Sequence, residues 1–157
     1  MKKITKKEQF LRESNAIEGV FDEESLQQAN IAWGILIAQQ RLTIGVILKI
    51  HKVLMKGKLM PYERGYFRTV DVRVGNYLAP DHSKVQRLME NFIEDIKVSY
   101  TAGEIKKDHI AFEMIHPFVD GNGRIGRMLM NWQRLRNNLP LLIIKNAEKQ
   151  EYYKWFK

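Results

Sequence analysis

Twelve consecutive residues, His116-Pro117-Phe118-Val119-Asp120-Gly121-Asn122-Gly123-Arg124-Ile125-Gly126-Arg127, gather an imidazole, a carboxylate, an amide, two turn glycines and two guanidinium groups. Histidine has the ordinary pKa best suited to taking a proton near neutrality. A glycine turn that opens a helix directs several unpaired N–H groups at one point, which suits phosphate. Arg124 and Arg127 are three apart and share a face of the first helical turn. Cations there oppose the helix dipole, and an anion bound between them offsets that conflict. The stretch therefore reads as a phosphate cradle beside a base.

Two helices must position it. Upstream, Asp108 to Ile115 has apolar Ile110, Met114 and Ile115 and no breaker. His116 precedes proline, which pushes it out of the αR region, so the helix should end there with the imidazole at the mouth of a turn. Gly121 and Gly123 are expected to take positive φ and let backbone approach a ligand. From Arg124 a second helical pattern runs through Ile125, Met128, Leu129, Trp132 and Leu135 to about Arg136.

The same stretch matches, at all nine specified positions, the signature His-Pro-Phe-x-Asp/Glu-Gly-Asn-Gly-Arg-x-x-Arg, and so resembles the Fic family of nucleotidyltransferases. The resemblance implies a mainly α fold, a helical bundle around a helix–loop–helix with a β-hairpin flap. It implies transfer of AMP from ATP to a Tyr, Thr or Ser hydroxyl of a target protein or of the chain itself. On it, His116 is the general base and Asp120 the ligand of a Mg²⁺ ion. Read alone, an Asp before Gly is a turn residue. The backbone around Gly121 and Gly123 is the anion cradle, Asn122 meets the α-phosphate, Arg124 the β-phosphate and Arg127 the γ-phosphate. Phe118 is expected to anchor the loop in the core. Relatives resembling the Doc toxins carry Lys in place of Gly123 and phosphorylate instead, so Gly123 favours AMP transfer. Removal of AMP, transfer of another nucleotide or phosphate moiety, and a non-catalytic peptide-binding module remain the alternatives.

Thr5 has capping-box spacing to Glu8, and Gly19 is a stop, so a first helix is expected from about Thr5 to Glu18. Ser14 and Glu18 share a face of it. Read alone, Glu18 is a solvated carboxylate. Ser14-Asn15-Ala16-Ile17-Glu18-Gly19 resembles the inhibitory motif of autoinhibited Fic proteins, in which the glutamate pairs with the second signature arginine, here Arg127. A carboxylate on Arg127 competes with a phosphate for the same charge. The implied layout is one domain over 1–157, with an inhibitory helix at about 1–20, a core at about 21–157 and a flap at about 65–80.

Between these motifs, Phe21 to Gln40 reads as a largely buried helix with Trp33 in the core. Thr43 should cap a helix bearing Ile44, Ile47, Leu48, His51, Leu54 and Met55, with His51 a hydrogen-bonded packing residue. Val70 to Val74 alternates with period two before Gly75-Asn76, which predicts a strand and a tight turn. On the resemblance this is the flap, whose free edge pairs with a target segment; Thr69, Val70, Asp71 and Val72 are the candidate contacts. Asp81 can cap a helix with Val85, Met89, Phe92 and Ile96 inward, which Tyr100-Thr101-Ala102-Gly103 should end. Glu148 to Lys157 is expected to be a last helix.

Composition narrows the classes. The 157 residues suit one domain; 45% are hydrophobic and 28% charged, an ordinary globular balance. The absence of cysteine excludes disulfides and thiolate chemistry and fits a cytoplasmic setting. No apolar run is long enough for a membrane span. The net charge of +8 comes from scattered lysines without a nucleic-acid motif, so nucleic acid is disfavoured as the main partner. Four histidines without a His-Glu-x-x-His pattern argue against zinc. Homo-oligomerisation stays open.

Overall fold

The computed structural model describes residues 2–157 and places seven α-helices and one two-stranded hairpin among them. Helix α1, Lys6–Ile17, starts where Thr5 Oγ1 accepts from Glu8 N at 3.1 Å. It stops in a Schellman arrangement: Gly19 N donates to Ala16 O and Val20 N to Asn15 O, each at 3.0 Å. Gly19 takes φ +73°, which a side chain at that position would resist. The stop makes Glu18 the C-cap residue just past the helix.

Helix α2, Glu23–Ile37, is capped by Asp22, and α3, Ile44–Leu54, by Thr43. The expectation that α2 is buried on most sides is corrected. Ala29, Ala32, Trp33 and Leu36 form one buried stripe, whereas Ile31 and Ile37 are exposed. The isoleucines broadened the apolar face in the sequence without any partner to cover them. Trp33 does sit in the core, edge-on to Phe10 of α1.

The hairpin is shorter than its alternation suggests. Strands β1, Arg73–Val74, and β2, Tyr77–Leu78, pair antiparallel, Arg73 with Leu78 and Val74 with Tyr77. The expected strand over 70–74 is therefore corrected to its last two residues. Thr69, Val70 and Asp71 lie exposed outside the ladder, and Val72 contributes only its carbonyl, to Ala79 N at 3.0 Å. Asp71 instead accepts from the His82 backbone at 2.9 Å, which turns the chain out of strand geometry.

Asp81 caps a 3-10 turn, His82–Lys84, that runs into α4, Val85–Ile96, with Val85, Met89, Phe92 and Ile96 buried. Tyr100 to Gly103 does not end α4, which has already stopped. It opens α5, Ala102–Ile115, through a full capping box between Thr101 and Glu104. Gly103 obscured that signal. Helix α6, Asn122–Arg136, begins two residues before the expected Arg124, with Gly121 as its N-cap. The C-terminal stretch is a 3-10 turn, a short α7, Lys149–Tyr153, and a second 3-10 turn, Lys154–Phe156, rather than one helix.

Helices α5 and α6 pack closely because Gly126 lacks a Cβ; one there would overlap Glu113 Oε1 and sit 3.0 Å from Phe112. Around this pair, α1, α2, α3 and α4 bury one continuous core, including Phe10, Leu36, Ile50, Met89, Phe112 and Phe118. No helix among the described residues is long and apolar enough to cross a membrane.

Candidate active site

The loop between α5 and α6 is held from four sides. Phe118 is buried and stacks on His51, ring centroids 3.7 Å apart and planes within 5°. His51 Nδ1 accepts from Gly65 N at 3.0 Å, so its Nε2–H donates to Asp120 O at 2.9 Å. Burial lowers the His51 pKa to about 4, which keeps the ring neutral in this role. Asn122 closes the turn on itself: Phe118 N donates to Oδ1 and Nδ2 donates to Phe118 O, both at 2.8 Å.

The fourth hold is Arg68, whose side chain is fully buried at the base of the flap. Nε donates to His116 O at 2.7 Å, Nη1 to Val70 O at 2.9 Å and Nη2 to Pro80 O at 2.6 Å. Its backbone N also donates to Pro117 O at 2.9 Å. One guanidinium thus fastens the flap to the end of α5. Sequence reasoning placed Arg68 in the flap but gave it no role, because its hydrogen-bond partners are backbone carbonyls that leave no residue-type signal.

His116 caps α5 in the left-handed region, φ 51° and ψ 62°. For a non-glycine residue this costs roughly 1–2 kcal/mol. The following proline excludes αR, and Arg68 holds the carbonyl in place. His116 Nδ1 lies 3.3 Å from Glu113 O. A carbonyl only accepts, so Nδ1 carries the proton and the Nε2 lone pair is left available. Burial lowers the pKa, with Arg68 adding to it, so the ring is neutral around pH 7.

Gly121 takes φ +90°, and a Cβ there would lie 2.8 Å from Met55 Sδ. Gly123 does not take positive φ, contrary to expectation, because it lies inside the first turn of α6. Its lack of a side chain has a different use: a Cβ would overlap Glu18 Oε1 and approach Arg127 Nη1 to 3.0 Å. The first amides of α6 have no side-chain cap, which leaves Gly123 and Arg124 N–H groups at the mouth of the loop. Asp120 is exposed, with Oδ1 accepting from Gly121 N at 2.7 Å.

The two arginines are unlike in their surroundings. Arg124 is 3% exposed, and its Nε and Nη1 have no partner; Nη2 touches only Met55 Sδ, at 3.1 Å. A buried guanidinium with empty donors is costly unless an anion completes it. Arg127 is 2% exposed and fully engaged. Nε donates to Ser14 Oγ at 2.8 Å, and Nη2 to Ser14 O at 3.0 Å and to Glu18 Oε1 at 2.7 Å. Nη1 donates to Tyr152 OH at 3.3 Å. Burial opposes the Arg127 charge, but Tyr152 and Glu18 outweigh it and raise its pKa.

So the structure brings His116, Asp120, Gly121, Asn122, Gly123, Arg124 and Arg127 to one loop and helix end, with Ser14 and Glu18 of α1 on Arg127. It leaves Thr69, Val70 and Asp71 on the exposed side of the flap and Val72 half-buried. Unforeseen were Arg68, Met55 and Tyr152, along with Glu113, whose carboxyl is pushed up to about 7 by burial.

A match to the Fic/DOC family spans residues 41–133, more than half of the chain. The chain belongs to the Fic/DOC family. Over 127 residues this Fic chain is 34% identical to the protein adenylyltransferase Fic of Drosophila erecta, covering 78% of this chain and 26% of that protein. It is 32% identical to the protein of the same name in Drosophila willistoni, covering 78% of this chain and 25% of that protein. The chain thus spans about a quarter of the length of the curated relatives it matches. A Fic domain containing signaling protein of Bacteroides thetaiotaomicron superposes with a TM-score of 0.81 at 18% identity, covering 94% of this chain and 70% of that one. Fic-1 of C. elegans, residues 134–508, gives 0.78 at 20% identity, covering 94% and 53%. At those identities the two structures establish the Fic fold.

Proposed function

We propose that this Fic domain transfers AMP from ATP to a hydroxyl of a protein, and that Glu18 holds it in an inhibited state. The observation that carries the reading is Arg124: buried, with two guanidinium nitrogens unpartnered, on the first turn of a helix whose N-terminal amides are uncapped. That arrangement suits a polyphosphate.

His116 Nε2 takes the proton of the incoming Tyr, Thr or Ser hydroxyl. The hydroxyl oxygen bonds to the α-phosphorus, the bond to the β-phosphate breaks, and pyrophosphate leaves with its electrons. Arg124 and the α6 amides stabilise the charge that builds on the phosphates. Asn122, through the N–H that Phe118 does not use, meets the α-phosphate.

Asp120 fits a Mg²⁺ ion in this family's manner, since magnesium takes one or two carboxylates together with phosphate oxygens and water. Among the described residues the group of three candidate ligands that lies together, Asp71, Asp81 and His82, is exposed, sits at the flap and does not include Asp120. When bound, the ion neutralises phosphate charge. The exposed Thr69 to Asp71 segment and exposed Val74 and Leu78 offer the target an extended, partly apolar face.

Inhibition follows from charge. Glu18 occupies the Arg127 Nη2 donor that would hold the γ-phosphate, so ATP lies with its triphosphate displaced. Misplacement on the order of 1 Å costs about a hundredfold in rate. The test is the intact mass of wild type and Glu18→Gly after incubation with ATP and Mg²⁺, alone and with labelled ATP in a lysate. One added AMP, stronger in the variant, is expected; one added phosphate, or no labelled protein in either setting, overturns the reading.

A further inference from the structure

Arg127 is held on one side by α1 and on the other by a residue that neither the signature nor the inhibitory motif contains. Tyr152, on α7, is buried, and its hydroxyl bridges two groups: Arg127 Nη1 at 3.3 Å and His109 Nε2 at 2.7 Å. The guanidinium carbon also lies 5.5 Å from the centre of the Tyr152 ring. His109 is fully buried on α5, and burial lowers its pKa to about 3, so the ring is neutral. Arg127 only donates, so the Tyr152 O–H donates to His109 Nε2 and the Tyr152 oxygen accepts from Arg127.

This polarity matters. A carboxylate in place of the phenol would neutralise Arg127 and compete with a phosphate, as Glu18 does. An uncharged oxygen fixes one arm of the fork and leaves the charge for another partner. Packing adds to the restraint: Tyr152 is surrounded by His109, Tyr153, Trp155 and Phe156, ring centroids 5.1 to 5.8 Å away. The segment is anchored to α1 as well, through Asn146 N and Glu13 Oε2 at 2.7 Å.

We propose that Tyr152, oriented by His109, is a positioning residue that keeps the Arg127 fork aimed at the γ-phosphate once Glu18 has left. The inference rests on the proposed function, because it takes Arg127 to be the γ-phosphate contact. Nη1, which lies beside Gly123, is tied to Tyr152, Nε and Nη2 are tied to Ser14, and the departure of Glu18 frees the Nη2 donor that the phosphate would meet. Without the tie, Ser14 alone restrains the fork and the third phosphate loses part of its hold, whereas ADP, which lacks that phosphate, is indifferent.

The experiment is calorimetric titration of ATP and ADP, each with Mg²⁺, into Glu18→Gly and into Glu18→Gly/Tyr152→Phe. Phenylalanine keeps the ring and its packing and removes only the oxygen, so both proteins should fold, as unfolding temperature will check. The expected result is that Glu18→Gly prefers ATP to ADP and that the added Tyr152→Phe shrinks this preference about three- to tenfold, the size of one ordinary hydrogen bond. In transfer assays the ATP KM should rise while kcat changes little. An ATP preference unchanged by Tyr152→Phe overturns the positioning role and leaves the proposed function standing. Equal affinity for ATP and ADP in Glu18→Gly itself overturns the γ-phosphate role of Arg127, and the positioning role with it, while AMP transfer is judged by the intact-mass test.

Discussion

Gly123 faces the Glu18 carboxylate so closely that a Cβ at position 123 would overlap Oε1. The same oxygen lies 2.7 Å from Arg127 Nη2, so the ion pair exists only because residue 123 has no side chain. Glu18 is the far end of a flexible chain and its side chain is 37% exposed, so in Gly123→Ala it should swing aside without unfolding the domain. The pair should then disappear. In a double-mutant cycle, Glu18→Gln is expected to cost roughly 1 kcal/mol in wild type and close to nothing in Gly123→Ala. Equal costs in both backgrounds, read from urea unfolding, would show that the carboxylate tolerates the methyl group.

His116→Ala in the Glu18→Gly background should abolish transfer while ATP still binds, since the histidine contributes only its Nε2 lone pair. Burial depresses the His116 pKa, so the ring becomes a base at lower pH than an ordinary histidine. The acid limb of single-turnover transfer should therefore lie below about pH 6.5. A limb at or above that value would place the proton acceptor elsewhere.

Arg68→Met keeps much of the length and apolar stem and removes every donor. The carbonyls of His116, Val70 and Pro80 would lose their partners in a part-buried site. A loss of about 2–4 kcal/mol is expected, together with faster proteolysis between residues 65 and 80. A variant as stable and as protease-resistant as wild type would mean that the flap is held by its own turns.

Glu113 gives the chain a signature in pH. Burial pushes its carboxyl up to about 7 from an ordinary 4.5, so the folded state binds this proton more tightly than the unfolded chain does. The resulting stability is complete below about pH 4.5 and is lost as pH rises through about 7. Against Glu113→Gln, which does not titrate, wild type should lose on the order of 1–3 kcal/mol between pH 5 and 8. Parallel pH curves for the two proteins would show that Glu113 is hydrated in the fold.

Helix existence was legible wherever a cap and a period coincided: Thr5 and Thr43 announced α1 and α3 through hydroxyl groups that satisfy orphan amides. The chemistry of the loop was legible because its residues are adjacent in the chain. The misreadings have local causes. Ile31 and Ile37 look like core but have nothing opposite them. Val70 and Val72 alternate like a strand, while His82 draws Asp71 out of the ladder.

By itself the sequence determined the Fic signature, the capped helices, the glycine stop that ends α1 at Glu18, and the residue types available for phosphate and proton chemistry. Those depend on side-chain chemistry and on contacts within a few positions. Tertiary structure alone decided which groups meet across 25 to 113 residues: Arg127 with Ser14, Glu18 and Tyr152, His51 with Asp120, and Arg68 with the carbonyls that hold His116. It also decided that Arg124 is left buried with empty donors, whereas each guanidinium nitrogen of Arg127, three residues on, has a partner. The two arginines are chemically identical in the sequence. What separates them is which helix packs against each, and that follows from how the whole core closes.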